Sequence, residues 1–140
     1  MILLDTNVVS ESMKPSADPA VTAWLNSYPV ENFCLSATAL TELLTGIEIL
    51  PLGRRRSLLA EILRAAVHQM FGSRIFPFDQ RAAQAYAALF AHTRSNGVSV
   101  SVGDGQIAAI AIVHGCTVAT RDTAPFIAAG VPTINPWLHT

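Results

Sequence analysis

Apolar residues follow two rhythms along this chain. Five short runs, Met1–Asp5, Asn32–Ser36, Arg74–Phe78, Cys116–Thr120 and Val131–Asn135, are too short for helices and predict strands. Between them the apolar positions recur at helical spacing. Thr6–Ser12 accommodates one or two helical turns before Lys14-Pro15. Ala20–Tyr28 carries Val21, Trp24 and Leu25 on one face, and Ala37–Leu50 carries Leu40, Leu43, Leu44 and Ile47. Arg54–Phe71 is the longest, with Leu58, Leu59, Ile62, Leu63, Ala66 and Met70 as its stripe. The Ala-rich Gln80–Asn96, then Asp104–His114 and Ala124–Ala129, complete the helices, with Val98–Gly103 as a loop.

The punctuation agrees with this division. Asp18, Ser36 and Asp79 stand where helix N-caps belong, and Pro19 takes the first helical position after Asp18. Pro29, Pro51, Gly53, Gly72, Gly97 and Gly115 stop helices. Strands alternating with helices predict an α/β fold: a parallel sheet of about five strands, right-handed crossovers and helices on both faces. No repeat, linker or low-complexity stretch interrupts residues 1–140, so a single domain is expected.

Composition narrows the class. About half of the residues are hydrophobic and 14% are charged, which excludes a disordered chain. No apolar run reaches the roughly 18 residues of a membrane span, and the N-terminus lacks a signal-peptide pattern, so a cytoplasmic protein with no membrane partner is expected. Cys34 and Cys116 lie in strand-like stretches and read as buried, reduced thiols. They form no zinc motif, and the four histidines are scattered. The net charge of −1 does not announce a nucleic-acid binder. Setting four carboxylates aside as metal ligands leaves nine basic against six acidic residues, a balance of +3 that permits a polyanionic substrate.

Those four carboxylates are singled out by position. Asp5 closes the first strand and Asp122 follows the fourth, at the edge where open α/β sheets bind ligands. Glu42 and Asp104 lie on helices that start near the same edge, Asp104 also reading as a helix cap. Their neighbours, among them Leu3, Leu4, Leu43, Ile107 and Val118, are apolar, and Arg121 is the only basic residue nearby in sequence. A partly desolvated carboxylate needs a counter-charge. A divalent cation is the simplest supply, and oxygen ligands suit Mg²⁺ or Mn²⁺ rather than Zn²⁺. Such a cation lowers the pKa of a water and stabilises charge on a phosphoryl transition state.

The stretches Leu3-Leu4-Asp5-Thr6-Asn7, Thr41-Glu42-Leu43 with Gly46, Asp104 with Ile107-Ala108-Ala109, and Ala119-Thr120-Arg121-Asp122-Thr123 resemble the PIN-domain family. Their order is similar to that in VapC-type toxins. Asn135-Pro136-Trp137, Arg54-Arg55-Arg56 and Phe76-Pro77-Phe78-Asp79 point to the FitB-like branch. The resemblance implies a three-layer α/β/α sandwich and Mg²⁺- or Mn²⁺-dependent cleavage of RNA by Asp5, Glu42, Asp104 and Asp122. It further implies that Thr120 supplies a hydroxyl beside the last acid and that Thr6 and Asn7 position the first loop. A homodimer, a VapB-like antitoxin, and operator DNA bound only through that antitoxin are also implied. Arg54, Arg55, Arg56 and Arg121 are candidate substrate or antitoxin contacts.

Two features depart from the family pattern. Leu44 and Thr45 stand where many relatives carry a basic residue, and Gly103 and Gly105 flank Asp104, which predicts a loose helix start. Other classes fit less well. A phosphatase of the haloacid-dehalogenase type needs a second Asp where Asn7 stands. Both it and a receiver domain need a late lysine, and none follows Lys14. The remaining alternative is a non-catalytic partner-binding module of an operator-binding complex.

Overall fold

A computed structural model describes residues 1–140. Strands β1 (Ile2–Leu4), β2 (Phe33–Ser36), β3 (Ile75–Phe76), β4 (Thr117–Ala119) and β5 (Thr133–Ile134) form one sheet in the order β3-β2-β1-β4-β5. Every pairing is parallel. Helices α1 (Thr6–Ser12), α2 (Pro19–Asn26), α3 (Ala37–Glu48), α4 (Arg54–Phe71), α5 (Gln80–Ser95), α6 (Val102–His114) and α7 (Ala124–Ala128) make the crossovers. The chain steps outward from β1 to β3, then returns across the sheet to β4 and β5. Right-handed crossovers running in both directions put helices on both faces.

That reversal matters for function. The connections after β1 and β4 leave in opposite directions, which opens a crevice at the carboxyl ends of these neighbours, the usual ligand position in such sheets. Leu3 pairs with Val118 and Leu4 with Ala119, so the residues that follow, Asp5 and Thr120, come out side by side.

The strands are shorter than the sequence pattern predicts, and local chemistry explains where they stop. Pro77 has no N–H to donate beyond Phe76. Arg74 is only half in the sheet: its carbonyl accepts the Leu35 N–H at 3.0 Å, while its own N–H turns back to the Phe71 carbonyl at 2.8 Å. Its guanidinium binds the carbonyls of Val30, Phe33 and Met70, closing the end of α4. Asn135 leaves β5 to cap the 3₁₀ turn Pro136–Leu138. Helix α2 stops at Asn26 rather than Tyr28: Ser27 donates back to the Trp24 carbonyl at 2.6 Å, and Tyr28 precedes a proline, a position that disfavours helix.

The core gathers both faces of the central strands, with Leu3, Leu4, Cys34, Leu35 and Val118 fully buried. Ile107 through Ala111 are buried without a break, so the middle of α6 is enclosed all round and anchors the sheet near β4. Gly115 ends it in the left-handed conformation, φ 64°, that glycine adopts without penalty. Cys34 and Cys116 are both buried and free, with their sulfurs 3.8 Å apart.

Candidate active site

Asp5 leaves β1 and becomes the N-cap of α1, Oδ1 accepting from the Thr6 N–H at 2.8 Å. Its Oδ2 accepts from Thr120 Oγ1 at 2.8 Å. The same Thr120 oxygen accepts from the Asp122 N–H at 3.0 Å and from Asn7 Nδ2 at 3.3 Å. Asn7 in turn accepts the Arg121 N–H at 3.4 Å. The loops after β1 and β4 are thus tied together through one buried hydroxyl and one amide. Burial pushes the Asp5 carboxyl above its ordinary range despite the hydrogen bonds from Thr120 and Thr6, and Asp104 and Glu42 raise it further.

Glu42 arrives from α3, where Thr6 Oγ1 donates to its Oε1 at 2.9 Å. Asp104 arrives from α6, which starts two residues earlier than the sequence suggests. Ser101 is the cap, its Oγ accepting the Asp104 N–H at 3.1 Å. Asp104 is therefore not the cap, and the third helical position lets its carboxyl face the crevice lining. Burial raises that carboxyl above its ordinary range, the Ser101 hydrogen bond opposes this, and Asp122 adds to it.

The flanking glycines do not loosen this start. Gly105 is buried, and a Cβ there would lie 2.7 Å from Tyr86 Cε2, so its bareness allows α6 to seat closely on α5. A Cβ at Gly103 would meet Glu42 Oε2 at an ordinary 3.5 Å.

Asp5, Glu42, Asp104 and Asp122 all line one cleft of about 430 Å³. Thr6, Asn7 and Arg121 line it too. Sequence reasoning missed Ser10, Glu11, Lys14 and Trp137, which complete the wall. The signal was available for the first three: with Asn7 they fall at i, i+3, i+4 and i+7 along α1 and its C-terminal turn. Arg121 is therefore not the only nearby cation. Lys14 joins it but is held by Glu11 at 3.1 Å. Glu11 is a fifth acid with its own partners: the Asp18 N–H, then Lys14, hold its carboxyl below the usual range. Arg54, Arg55 and Arg56 lie outside the cleft, and Arg56 pairs with Glu48 at 2.6 Å.

The donors fit a hard divalent cation in kind: carboxylates with hydroxyls beside them, no thiol or imidazole, and two carboxyls whose ionisation is opposed by burial. They do not form a closed cage, for no three His, Cys, Asp or Glu side chains converge tightly enough by themselves. Mutual repulsion of the carboxylates acts against convergence. Mg²⁺ characteristically keeps several waters and one or two carboxylates, which suits an open set of this kind.

The PIN domain family pattern matches residues 2–131. The chain is 44% identical over 137 residues to "VapC ribonuclease Y4jK" of Sinorhizobium fredii, covering 98% of both. It is 43% identical to "Toxin FitB" of Neisseria gonorrhoeae, covering 98% of this chain and 99% of that one. The crystal structure of FitAcB from Neisseria gonorrhoeae superposes with a TM-score of 0.92 at 43% identity, with 99% of each chain covered. DNA-bound VapBC from Salmonella typhimurium, at 20% identity and a TM-score of 0.82, shares the fold across 96% of this chain and 97% of that one. With the five-stranded parallel sheet, the acids at its carboxyl edge and these full-length matches together, the chain belongs to the PIN-domain family.

Proposed function

We propose that this protein is a metal-dependent endoribonuclease, the toxin of a VapBC-like pair. The observation that carries the reading is the cleft, which four carboxylates from four separate segments line, Asp5 among them held by the buried Thr120 hydroxyl. The 44% identity to a protein named a VapC ribonuclease supports it. Asp5, Glu42, Asp104 and Asp122 would hold Mg²⁺ or Mn²⁺. When bound, the cation would supply Lewis acidity at the phosphate and lower the pKa of a water toward neutrality. The chain's own residues do the positioning: Thr120 and the Thr6 N–H fix the Asp5 carboxylate, Thr6 Oγ1 fixes Glu42, and Asn7 ties Arg121 to α1. Lys14 and Arg121 offset part of the repulsion that acids exert on RNA phosphate.

The partner in this reading is an antitoxin. A groove of about 690 Å³ runs between α1–α2 and α4, lined mainly by apolar side chains such as Met13, Leu25, Ile62 and Met70. It suits an amphipathic helix. Met13 ends α1, whose other face lines the cleft, so a helix in the groove can deliver a basic side chain to the acids and compete with metal. Relatives crystallised as FitAB and VapBC complexes, some with DNA, support an antitoxin that carries the operator contact. A homodimer through apolar faces such as that of α5, where Phe90 is exposed, and a cytoplasmic location belong to the same reading. No helix is long and apolar enough to cross a membrane.

The test is RNA cleavage by wild type and Asp5→Asn, with Mg²⁺ or Mn²⁺ and with EDTA. Asparagine keeps the shape and removes the charge, and cleavage is expected to fall by roughly a thousandfold or more, as for loss of a group that stabilises transition-state charge. Wild-type-like cleavage by the variant ends the catalytic assignment of Asp5, and cleavage in EDTA ends the metal assignment. No cleavage under any condition, with the antitoxin still bound, favours the non-catalytic module.

A further inference from the structure

Ten of the eleven residues around the acid cleft are polar, and the exception is Trp137. The backbone that carries the indole is fixed. Asn135 Oδ1 accepts the Trp137 backbone N–H at 3.0 Å, Pro136 is buried, and the 3₁₀ turn packs on α2. Part of the ring rests on the core and part faces the cleft. The other aromatic group near α2, Trp24 with Tyr28 and Phe33, packs in tilted and edge-on pairs among its own members, and Trp24 is 3% exposed. Above Trp137 stands Arg121, its guanidinium carbon 5.1 Å from the ring centroid. Arg121 takes part in none of the three ion pairs, although Glu11 and Asp122 line the same cleft.

An apolar ring at the rim of a carboxylate cleft has no use in holding a cation. A guanidinium laid over an indole and free of any ion pair keeps its outer face and its N–H edge open, and these are what unstacked nucleobases and their phosphates bind. We propose that Trp137 and Arg121 form a subsite for single-stranded RNA. One nucleobase stacks on the indole–guanidinium pair while the fork of Arg121 takes the adjoining phosphate. This rests on the ribonuclease reading and assigns to Trp137 and Arg121 the grip on one unpaired nucleotide beside the acids, because a base inside a duplex has no free face to offer. The subsite selects for single strands through stacking, which every base can supply, and so does not read sequence by itself.

The experiment uses Trp137→Phe, which keeps a stacking ring, and Trp137→Leu, which keeps apolar volume only. In wild-type background, Trp137→Leu is expected to raise KM for single-stranded RNA roughly tenfold with little change in kcat, and Trp137→Phe to retain most of the affinity. Arg121→Gln is expected to lower the dependence of log KM on log salt by about 0.7, one phosphate contact on a single strand. Independently of turnover, indole emission of Asp5→Asn is followed on adding a single-stranded oligoribonucleotide. It is expected to quench, and the quenching is expected to vanish with Trp137→Phe because Trp24 is buried. Indole emission that ignores RNA overturns the subsite whether or not cleavage is seen. So does a Trp137→Leu enzyme with wild-type KM, or one that loses only kcat. An indole that responds in a protein that never cleaves RNA keeps the subsite and overturns the ribonuclease reading instead.

Discussion

The acid cleft and the apolar groove lean on the same short stretch, α1 and its C-terminal turn, and are made of opposite materials. The cleft has one hydrophobic residue among eleven; nine of the thirteen residues around the groove are hydrophobic. The cleft draws on element ends: Asp5 after β1, Thr120 to Asp122 after β4, Asp104 in the first turn of α6. There the backbone leaves regular pairing, and the side chains that cap it are polar for a local reason. The groove draws on element faces, Leu25 of α2 and Ile62, Ala66 and Met70 of α4, where nothing within this chain completes the packing. Catalysis needs charges fixed by short hydrogen bonds, whereas recognition of a helix needs a broad surface with few of them. Their meeting at α1 lets one partner address both.

Separating the two regions gives the largest expected effect. Ile62→Asp places a charge in the groove at a residue 39% exposed, where folding tolerates it. Affinity for the cognate antitoxin is expected to fall roughly a hundredfold, the scale of a hot-spot loss, while RNA cleavage by the free protein is unchanged. Titration calorimetry and a cleavage assay on the same preparation check this. Antitoxin binding at wild-type strength would deny the groove its role.

Gly105→Ala probes the cleft from behind. The new Cβ forces Tyr86 to move and costs about 1–3 kcal/mol by overpacking, partly offset by the better helix propensity of alanine. The denaturant midpoint is expected to drop and cleavage to weaken as Asp104 shifts, with antitoxin affinity unaltered. A second change, Tyr86→Leu, is expected to restore part of the stability. Non-additivity of the pair is the readout that ties the loss to this contact.

The smallest effect is on pH. Asp5 and Asp104 hold carboxyls above the ordinary range, so the folded state binds their protons more tightly than the unfolded state does. Stability from these two groups is present below the unfolded value, 3.8, and declines as pH rises through the raised folded values. In EDTA, the Tm of Asp5→Asn is expected to match wild type at the acid end and to exceed it near pH 7. Ile62→Asp shows no such widening. A gap of the opposite sign would mean that the Asp5 charge stabilises the empty site.

These contrasts also explain what could be read in advance. Alternating apolar runs located all five strands and all seven α-helices, though neither 3₁₀ turn, and strand-end geometry pointed to Asp5 and Asp122 without reference to any relative. The ends of elements were harder. Asp104 passes for a cap because Asp and Ser serve equally well there, and only the geometry shows Ser101 in that place. Gly105 looks like a weak helix residue until Tyr86 is seen against it. The stripe on α4 reads as one apolar face, yet only Leu63 among its six members is fully buried, because amphipathic spacing does not tell a core face from a face awaiting a partner. Trp137 comes from the far end of the chain, and no local pattern links it to the acids.

The hydrogen bond between Thr120 and Asp5 spans 115 positions, and β1 finds its second neighbour only at Thr117. During synthesis, from the N-terminus onward, Asp5 emerges first and waits for nearly the whole chain to follow. Asp122 and Trp137 come later still. A nascent chain attached to its ribosome, surrounded by RNA, therefore carries separated parts of a cleft and no assembled one. The order of residues along the polymer acts as a delay, because the cleft can close only after β4 and the loop that follows it have been made.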